Sequence, residues 1–466
     1  MGHRSIARLS SGAAALATCL LLPVQAMAQL PSYQAKDLGT LGGQLSEATS
    51  LNDQGQVTGF ATTALGAAHA FLYSDGVMTD LGTLGGVSSR GSAINRVGQV
   101  TGESITADGS RHAFVFDKGV MTDLGTIGGA NSTAISINDQ GVVTGQSDAE
   151  GETTNNYHAF LYSSGQMMDL GTLGSRTSIG VAINGSGEIT GSSEKTIDRR
   201  HAFLFSDGQM KDLGTLGGEI SFGAAINDAG QVVGYSDTSN YPFHHAFLYG
   251  SGAMIDLGTL GGANSEAFAI NQSGQVTGKS RTLGDADHAF LYEGGQMKDL
   301  GTLGGATSEG YYINAAGQVV GNSSVTNNGP FHGFLFSNGE MRDLIDLVYA
   351  PGLTYFSFLP WSARINNRGQ IIASASSEPH AFLLTPISIL LEELLSDVTG
   401  VGPDSKLSKH VTLAQTYYDA DDLQATCSQL TYFDSQVQKL PKKTPQEQKD
   451  HLIRQSTAIM DAIGCP

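Results

Sequence analysis

The chain has 466 residues, with 44 acidic against 25 basic side chains, a formal charge of −19 and only 15% charged residues. That excess of acid excludes nucleic acid and anionic lipid as main partners, since both are held by Lys and Arg. The 61 glycines and 40% hydrophobic content fit a turn-rich all-β protein and exclude a disordered one.

Residues 1–28 read as a signal peptide. Arg4 and Arg8 make a positive start, Ala13–Leu22 is an apolar run, and Ala26-Met27-Ala28 is a small-x-small cleavage site before Gln29. The run is too short for a membrane span, which needs ~20 apolar residues, so no transmembrane segment is expected. Leu16-Ala17-Thr18-Cys19 makes a poor lipobox, because Leu20–Leu22 continue the apolar run. Export to the medium, the cell surface or the periplasm is the expectation.

From there a heptapeptide recurs. Asp-Leu-Gly-Thr-Leu-Gly-Gly stands at Asp37, Asp80, Asp212, Asp256 and Asp299, with one-residue variants at Asp123 and Asp169 and a decayed copy at Asp343. The starts lie 43, 43, 46, 43, 44, 43 and 44 residues apart, a period that belongs to propellers and solenoids. In one unit, Ser221–Asn227, Gln231–Ser236, His245–Tyr249 and Met254–Leu257 read as four short strands joined by Gly, Asn and Asp turns. That is the antiparallel meander of one propeller blade.

There are eight strand-opening His residues (His69, His112, His158, His201, His245, His288, His332, His380) and eight strand-ending Asn residues (Asn52, Asn95, Asn138, Asn184, Asn227, Asn271, Asn314, Asn366). The first fourth-strand segment, Tyr33–Leu38, precedes the first blade, and the last blade stops after its third strand at Leu384. The fold class predicted for residues 29–386 is therefore an all-β propeller of eight four-stranded blades. The N-terminal strand closes its ring and covers an edge that would otherwise be exposed. The Ser-, Ala- and Gly-rich first strand is expected innermost, where the blades taper.

His-Ala-Phe, Ile-Asn-x-x-Gly-Gln and Asp-Leu-Gly-Thr-Leu-Gly-Gly resemble the HAF-repeat family of bacterial extracellular proteins, over roughly residues 33–386. The resemblance implies an exported, propeller-like protein. It brings no established activity and no catalytic residues.

After Pro386 glycine almost vanishes and a helical period takes over. Helices are expected at Ile387–Val398, Leu407–Tyr418 and Leu423–Leu440. A last one opens on Thr444-Pro445-Gln446-Glu447, read as a capping box with Pro at the first helical position, and stops at Gly464. This small all-α C-terminal domain, residues 387–466, resembles the FIMAH-type helical domain of secreted bacterial proteins. Leu423–Leu430, Phe433, Val437 and Leu452–Gly464 carry that resemblance, which implies an accessory role. Once Cys19 leaves with the signal, Cys427 and Cys465 remain, an even pair that reads as a disulfide in an exported chain.

Eight His, Asn and Asp at equivalent positions tempt a metal-ring reading, but each serves its own blade, and hydrogen bonding within the blade is the plainer role. The Asn-Asp-x-Gly turns lack a calcium-loop ligand set, and no Lys or helix follows the glycine segments to make a phosphate cradle. No catalytic residue, metal ligand or cofactor is assigned.

Function is expected where the repeats disagree. The fifth residue before each strand-ending Asn is Glu47, Arg90, Thr133, Ile179, Phe222, Glu266, Glu309 and Trp361, between a Ser (in seven units) and a small residue. The column is expected near the channel mouth, on the face that also carries the variable loops Asp148–Tyr157, Glu194–Arg200 and Thr238–His244. Glu47, Arg90, Phe222, Glu266, Glu309 and Trp361 are the candidate ligand-binding residues. The leading expectation is a binding scaffold for an extracellular glycan or protein. A propeller enzyme acting on extracellular glycan, lyase or hydrolase, and a purely structural surface protein are the alternatives.

Overall fold

A computed structural model describes residues 32–151, 156–240, 242–326, 329–349, 353–358, 363–375, 379–399, 401 and 406–466. The signal peptide expected at residues 1–28 and the candidate Trp361 lie outside the described residues, as does part of the Asp148–Tyr157 loop.

Eight antiparallel sheets stand in a ring. Blade 5 is representative, with strands Gly217–Ile226, Val232–Thr238, His244–Gly250 and Ala253–Asp256 in that order from the axis outwards. Its inner strand takes in the glycine pair read from sequence as a turn. Blade 8 is completed by the chain's first strand: Tyr33–Asp37 pairs with Ala381–Pro386, from Tyr33 opposite Pro386 to Asp37 opposite Phe382. The ring therefore closes as its phase predicted.

Neighbouring blades are joined by three repeated devices. At the end of each inner strand, the Asn carboxamide folds back over its own turn, as when the Asn227 oxygen accepts from the amides of Ala229 and Gln231. Its nitrogen donates to the carbonyl of the equivalent Asn in the next blade at 2.9–3.1 Å, from Asn52 round to Asn366 and back to Asn52. The second device is the Ser before the variable column. In seven blades its hydroxyl accepts the amide of the His-following Ala in the preceding blade, as Ser221 does from Ala202 at 2.8 Å. The third is size. Where the residue after the column is Gly, as at Gly91, Gly180, Gly223 and Gly310, it abuts a buried Thr of the preceding blade, so a Cβ at Gly91 would lie 2.3 Å from the Thr58 hydroxyl.

Within each blade the His ring pairs through Nδ1 with the fourth-strand Asp, as in His69–Asp80 and His245–Asp256, and His380 pairs with Asp37 across the closure. The eight His–Asp pairs are thus internal braces. The Phe two residues on is buried in every blade, where aromatic area stabilises most.

Blade 8 departs from the repeat pattern. Its inner strand is split into Phe356–Ser357 and Arg364–Ile365, both paired with Ile371–Ala375. Ser357 lies opposite Ser374, the register that Glu47 holds opposite Phe60. Ser357 therefore takes the cross-strand register of the variable column in blade 8, and Trp361, which the count from Asn366 places in that column, lies outside the described residues. Phe356 takes the bridging Ser's place, and at the seam to blade 7 it joins Phe358, Leu344, Leu347 and Val348 in one buried cluster, while Asn322 donates to the Phe358 carbonyl and accepts from its amide. The decayed heptapeptide at Asp343 folds there as a short 3₁₀ turn, Leu344–Leu347.

Four helices follow among the described residues: α1 (Ile387–Val398), α2 (Lys406–Asp419), α3 (Leu423–Gln438) and α4 (Gln446–Ile463). They share a core built on Leu391, Leu394, Leu430, Phe433 and Ile459, and the Cys427–Cys465 disulfide ties the end of α4 to α3. The expected capping box is absent. Pro445 is extended (ψ 138°) and stands at the cap itself, which leaves Thr444 one residue too far out. Gly464, at φ +76°, ends α4 in the left-handed conformation. The helices rest on the closing strand: Gln34 donates to the Ala458 carbonyl at 3.0 Å, and Arg368 pairs with Glu393 at 2.7 Å.

Deleting residues 29–39 removes the outer strand of blade 8 and should produce aggregation or loss of cooperative unfolding. A truncated chain that stays monomeric and equally stable would contradict closure by this strand. Asn227→Ala should cost about 1–3 kcal/mol, because it strips partners from buried amides. Equilibrium denaturation of the mature protein measures it.

Candidate functional site

Each inner strand runs from a glycine turn to the Asn ring, so the variable column lies nearer the glycine-turn face. The loops between second and third strands open on that face, and the stereotyped Asn turns occupy the other. Two further columns of mixed chemistry accompany the first. Cross-strand partners stand opposite it: Glu103 to Arg90, Gln146 to Thr133, Tyr235 to Phe222, Lys279 to Glu266 and Asn322 to Glu309. The residue just before each blade's His is the other, with Arg111, Tyr157, Arg200, His244 and Asp287 among its members. Comparing the repeats position by position finds both columns, since each varies as freely as the first.

The column residues touch the preceding blade. The Arg90 guanidinium lies 4.0 Å from the centroid of the Phe60 ring, a cation–π contact. Thr133 donates to Glu103 at 3.1 Å. Blades 5 to 7 hold a denser cluster. Phe222 stacks on Tyr235 (centroids 5.4 Å apart, planes 15° apart), and Tyr235 meets the His244 ring, also at 5.4 Å. His244 Nε2 bonds Glu266 at 3.2 Å. Lys279 reaches Glu266 at 3.9 Å and Glu309 at 3.4 Å, and the Tyr311 hydroxyl donates to Glu309. Three predicted residues, Phe222, Glu266 and Glu309, are thus brought together. Arg90 is not among them, since it sits in blade 2, diametrically opposite blade 6. Glu47 belongs to blade 1.

The charges in this cluster support one another. Burial alone would push the Glu266 carboxyl up, but the His244 hydrogen bond and the Lys279 charge hold it below its ordinary value. Burial opposes the charge on Lys279, and Glu266 and Glu309 more than restore it, so its ammonium is held above the usual range. The Tyr311 phenol is pushed up by burial and then by Glu309. Two carboxyl groups bridged by one ammonium offer hydrogen-bond acceptors and donors side by side.

A shallow depression of about 210 Å³ on this face is lined by Arg111, Thr133, Gln146 and Asp148. A larger one of about 500 Å³ lies on the opposite face, among the turns at Ser186–Glu188, Asp207 and Asp228. Among the described residues no group of His, Cys, Asp and Glu is arranged to hold a metal ion, and no helix is long and apolar enough to cross a membrane.

No family model and no curated protein matches this chain. Solved structures that resemble it include a puromycin-hydrolysing peptidase of Mycobacterium tuberculosis, with 12% identity over 75% of this chain and 61% of that one, at a TM-score of 0.42. Another is dipeptidyl peptidase 4 of Porphyromonas gingivalis, with 11% identity over 74% and 60% and a TM-score of 0.45. A third is the β-propeller domain of the Trilobed protease from Pyrococcus furiosus, with 12% identity over 65% and 97% and a TM-score of 0.40. The chain spans about three fifths of the two peptidases. At TM-scores below 0.5 and identities near 12%, these likenesses carry no conclusion about what this chain does.

Replacing Lys279 with Met leaves Glu266 and Glu309 without their shared cation, so the Glu266 carboxyl should titrate at higher pH than in the parent protein. Carboxyl chemical shifts followed by NMR across the acid range would show this. An unchanged Glu266 titration would mean that the three groups do not act together.

Proposed function

We propose that this protein is an exported, HAF-repeat-like propeller that works as a binding scaffold through its glycine-turn face. One observation carries the reading. The eightfold residues are committed to holding the ring, His to Asp within blades and Asn and Ser between them, whereas mixed chemistry gathers on one face. A scaffold that keeps its frame and varies one surface is built for recognition. The Cys427–Cys465 disulfide supports an oxidising compartment, and the export signal read at residues 1–28 agrees with it. The helical domain, resembling the FIMAH type, acts as an accessory that rests on the ring closure.

A glycan-active enzyme is the second reading. The Glu266–Lys279–Glu309 cluster favours it, because carboxylates beside a cation can serve acid–base chemistry. Producing the chain with its own leader and sequencing the mature N-terminus should return Gln29. Screening that product on glycan and peptide arrays, with product release followed in parallel, separates the readings. Binding without turnover supports the scaffold, and turnover of any polymer overturns it in favour of the enzyme.

A further inference from the structure

Blade 5 differs from the other blades in one respect. Among the described residues it alone places a ring at all three variable positions: Phe222 on the inner strand, Tyr235 on the second and His244 at the start of the third. These strands follow one another outward, so the rings form a row from the channel mouth toward the rim. Tyr235 covers one face of Phe222. Neither Phe222 nor Tyr235 is buried, and the side chains of His244, Glu266 and Lys279 are each 25% exposed. Stacking on Tyr235 and His244 braces the Phe222 ring, which removes ordering cost from any ligand that lies against it.

The two next column positions around the mouth are Glu266 and Glu309, bridged by Lys279. A partly exposed aromatic ring therefore stands at one end of a three-blade arc, followed by two carboxyl groups and an ammonium. A sugar presents that combination in reverse, with a C–H face for the ring and hydroxyls for the charged groups. Charge narrows the class. Blade 5 also carries Asp237 on its second strand, and the chain's −19 repels polyanions. We propose that blades 5 to 7 bind an uncharged oligosaccharide at the channel mouth, one sugar ring against Phe222 and its neighbour's hydroxyls on Glu266, Lys279 and Glu309. This rests on the scaffold reading above and gives it a ligand class and a place on the ring.

The test uses the mature full chain with cello-, xylo-, laminari- and malto-oligosaccharides, polygalacturonate and a peptide library, read by calorimetry and saturation-transfer NMR. At least one uncharged oligosaccharide should bind without being cleaved. Phe222→Leu keeps an apolar side chain but loses the ring face, and should weaken that binding about tenfold or more. Glu309→Gln should weaken it as well, which keeps the test decisive if Phe222→Leu fails to fold. Asp207→Asn, on the opposite face, should leave it unchanged. Uncharged sugars that bind regardless of both variants overturn the arc while the scaffold reading stands. Binding only of polygalacturonate or peptides overturns the ligand class and again spares the scaffold. Cleavage of a bound sugar overturns the scaffold reading and keeps the arc, and a chain that binds no probe overturns the proposal.

Discussion

The amide of one asparagine per blade is the interaction on which the rest depends. Asn227 and its seven equivalents each terminate an inner strand and donate to the next blade, so the ring is tied at its narrowest circle by an unbroken series of buried hydrogen bonds. Buried amides left unpaired are costly, and a circle of them constrains every member alike. The bridging Ser and the small residue after the column add steric and polar conditions at the same junction. Together they account for the near-constant spacing of the repeats, since each blade must meet its neighbour in the same register.

That commitment divides the molecule. His, Asp, Ser and Asn, the residue types most associated with chemistry, are here consumed by the architecture. The His–Asp pairs resemble catalytic dyads in isolation, yet eight copies braced between third and fourth strands are structural elements. Individuality is left to three columns on the glycine-turn face. Even there the side chains are not idle: Arg90 lies on Phe60, and Lys279 spans two blades. Side chains that also hold neighbouring blades are rigidly placed, and rigidity lowers the cost of binding to any ligand that meets them.

Much of the fold was legible because its signals were repeated. Eight copies of a motif average out local noise, and the offset between the first fourth strand and the last third strand states how the ring closes. Single-copy signals fared worse. In blade 8 the half-strand Phe356–Ser357 pairs with Ile371–Ala375 in the register of the variable column, which no count back from Asn366 shows. Thr444 matched a capping box by spacing, but the extended Pro445 moved the helix start by one residue. The columns of Tyr235 and His244 went unread although their variability was in plain view. Cross-strand register turns them into neighbours of Phe222, and register is a property of pairing.

The sequence by itself determined the number of blades, the strand order within each, the closing strand, the cysteine pair and the change from β to α after Pro386. All of these are local or periodic, set by turn residues, alternation and spacing along the chain. The tertiary structure alone decided that the asparagines form a circle, that an apolar cluster replaces the bridging Ser between blades 7 and 8, and that Phe222, Glu266 and Glu309 share an arc from which Arg90 is absent. Those facts depend on which side chains meet across blades some 43 residues apart in the chain. Only closure of the ring, with its fixed radius and register, brings them within hydrogen-bonding distance.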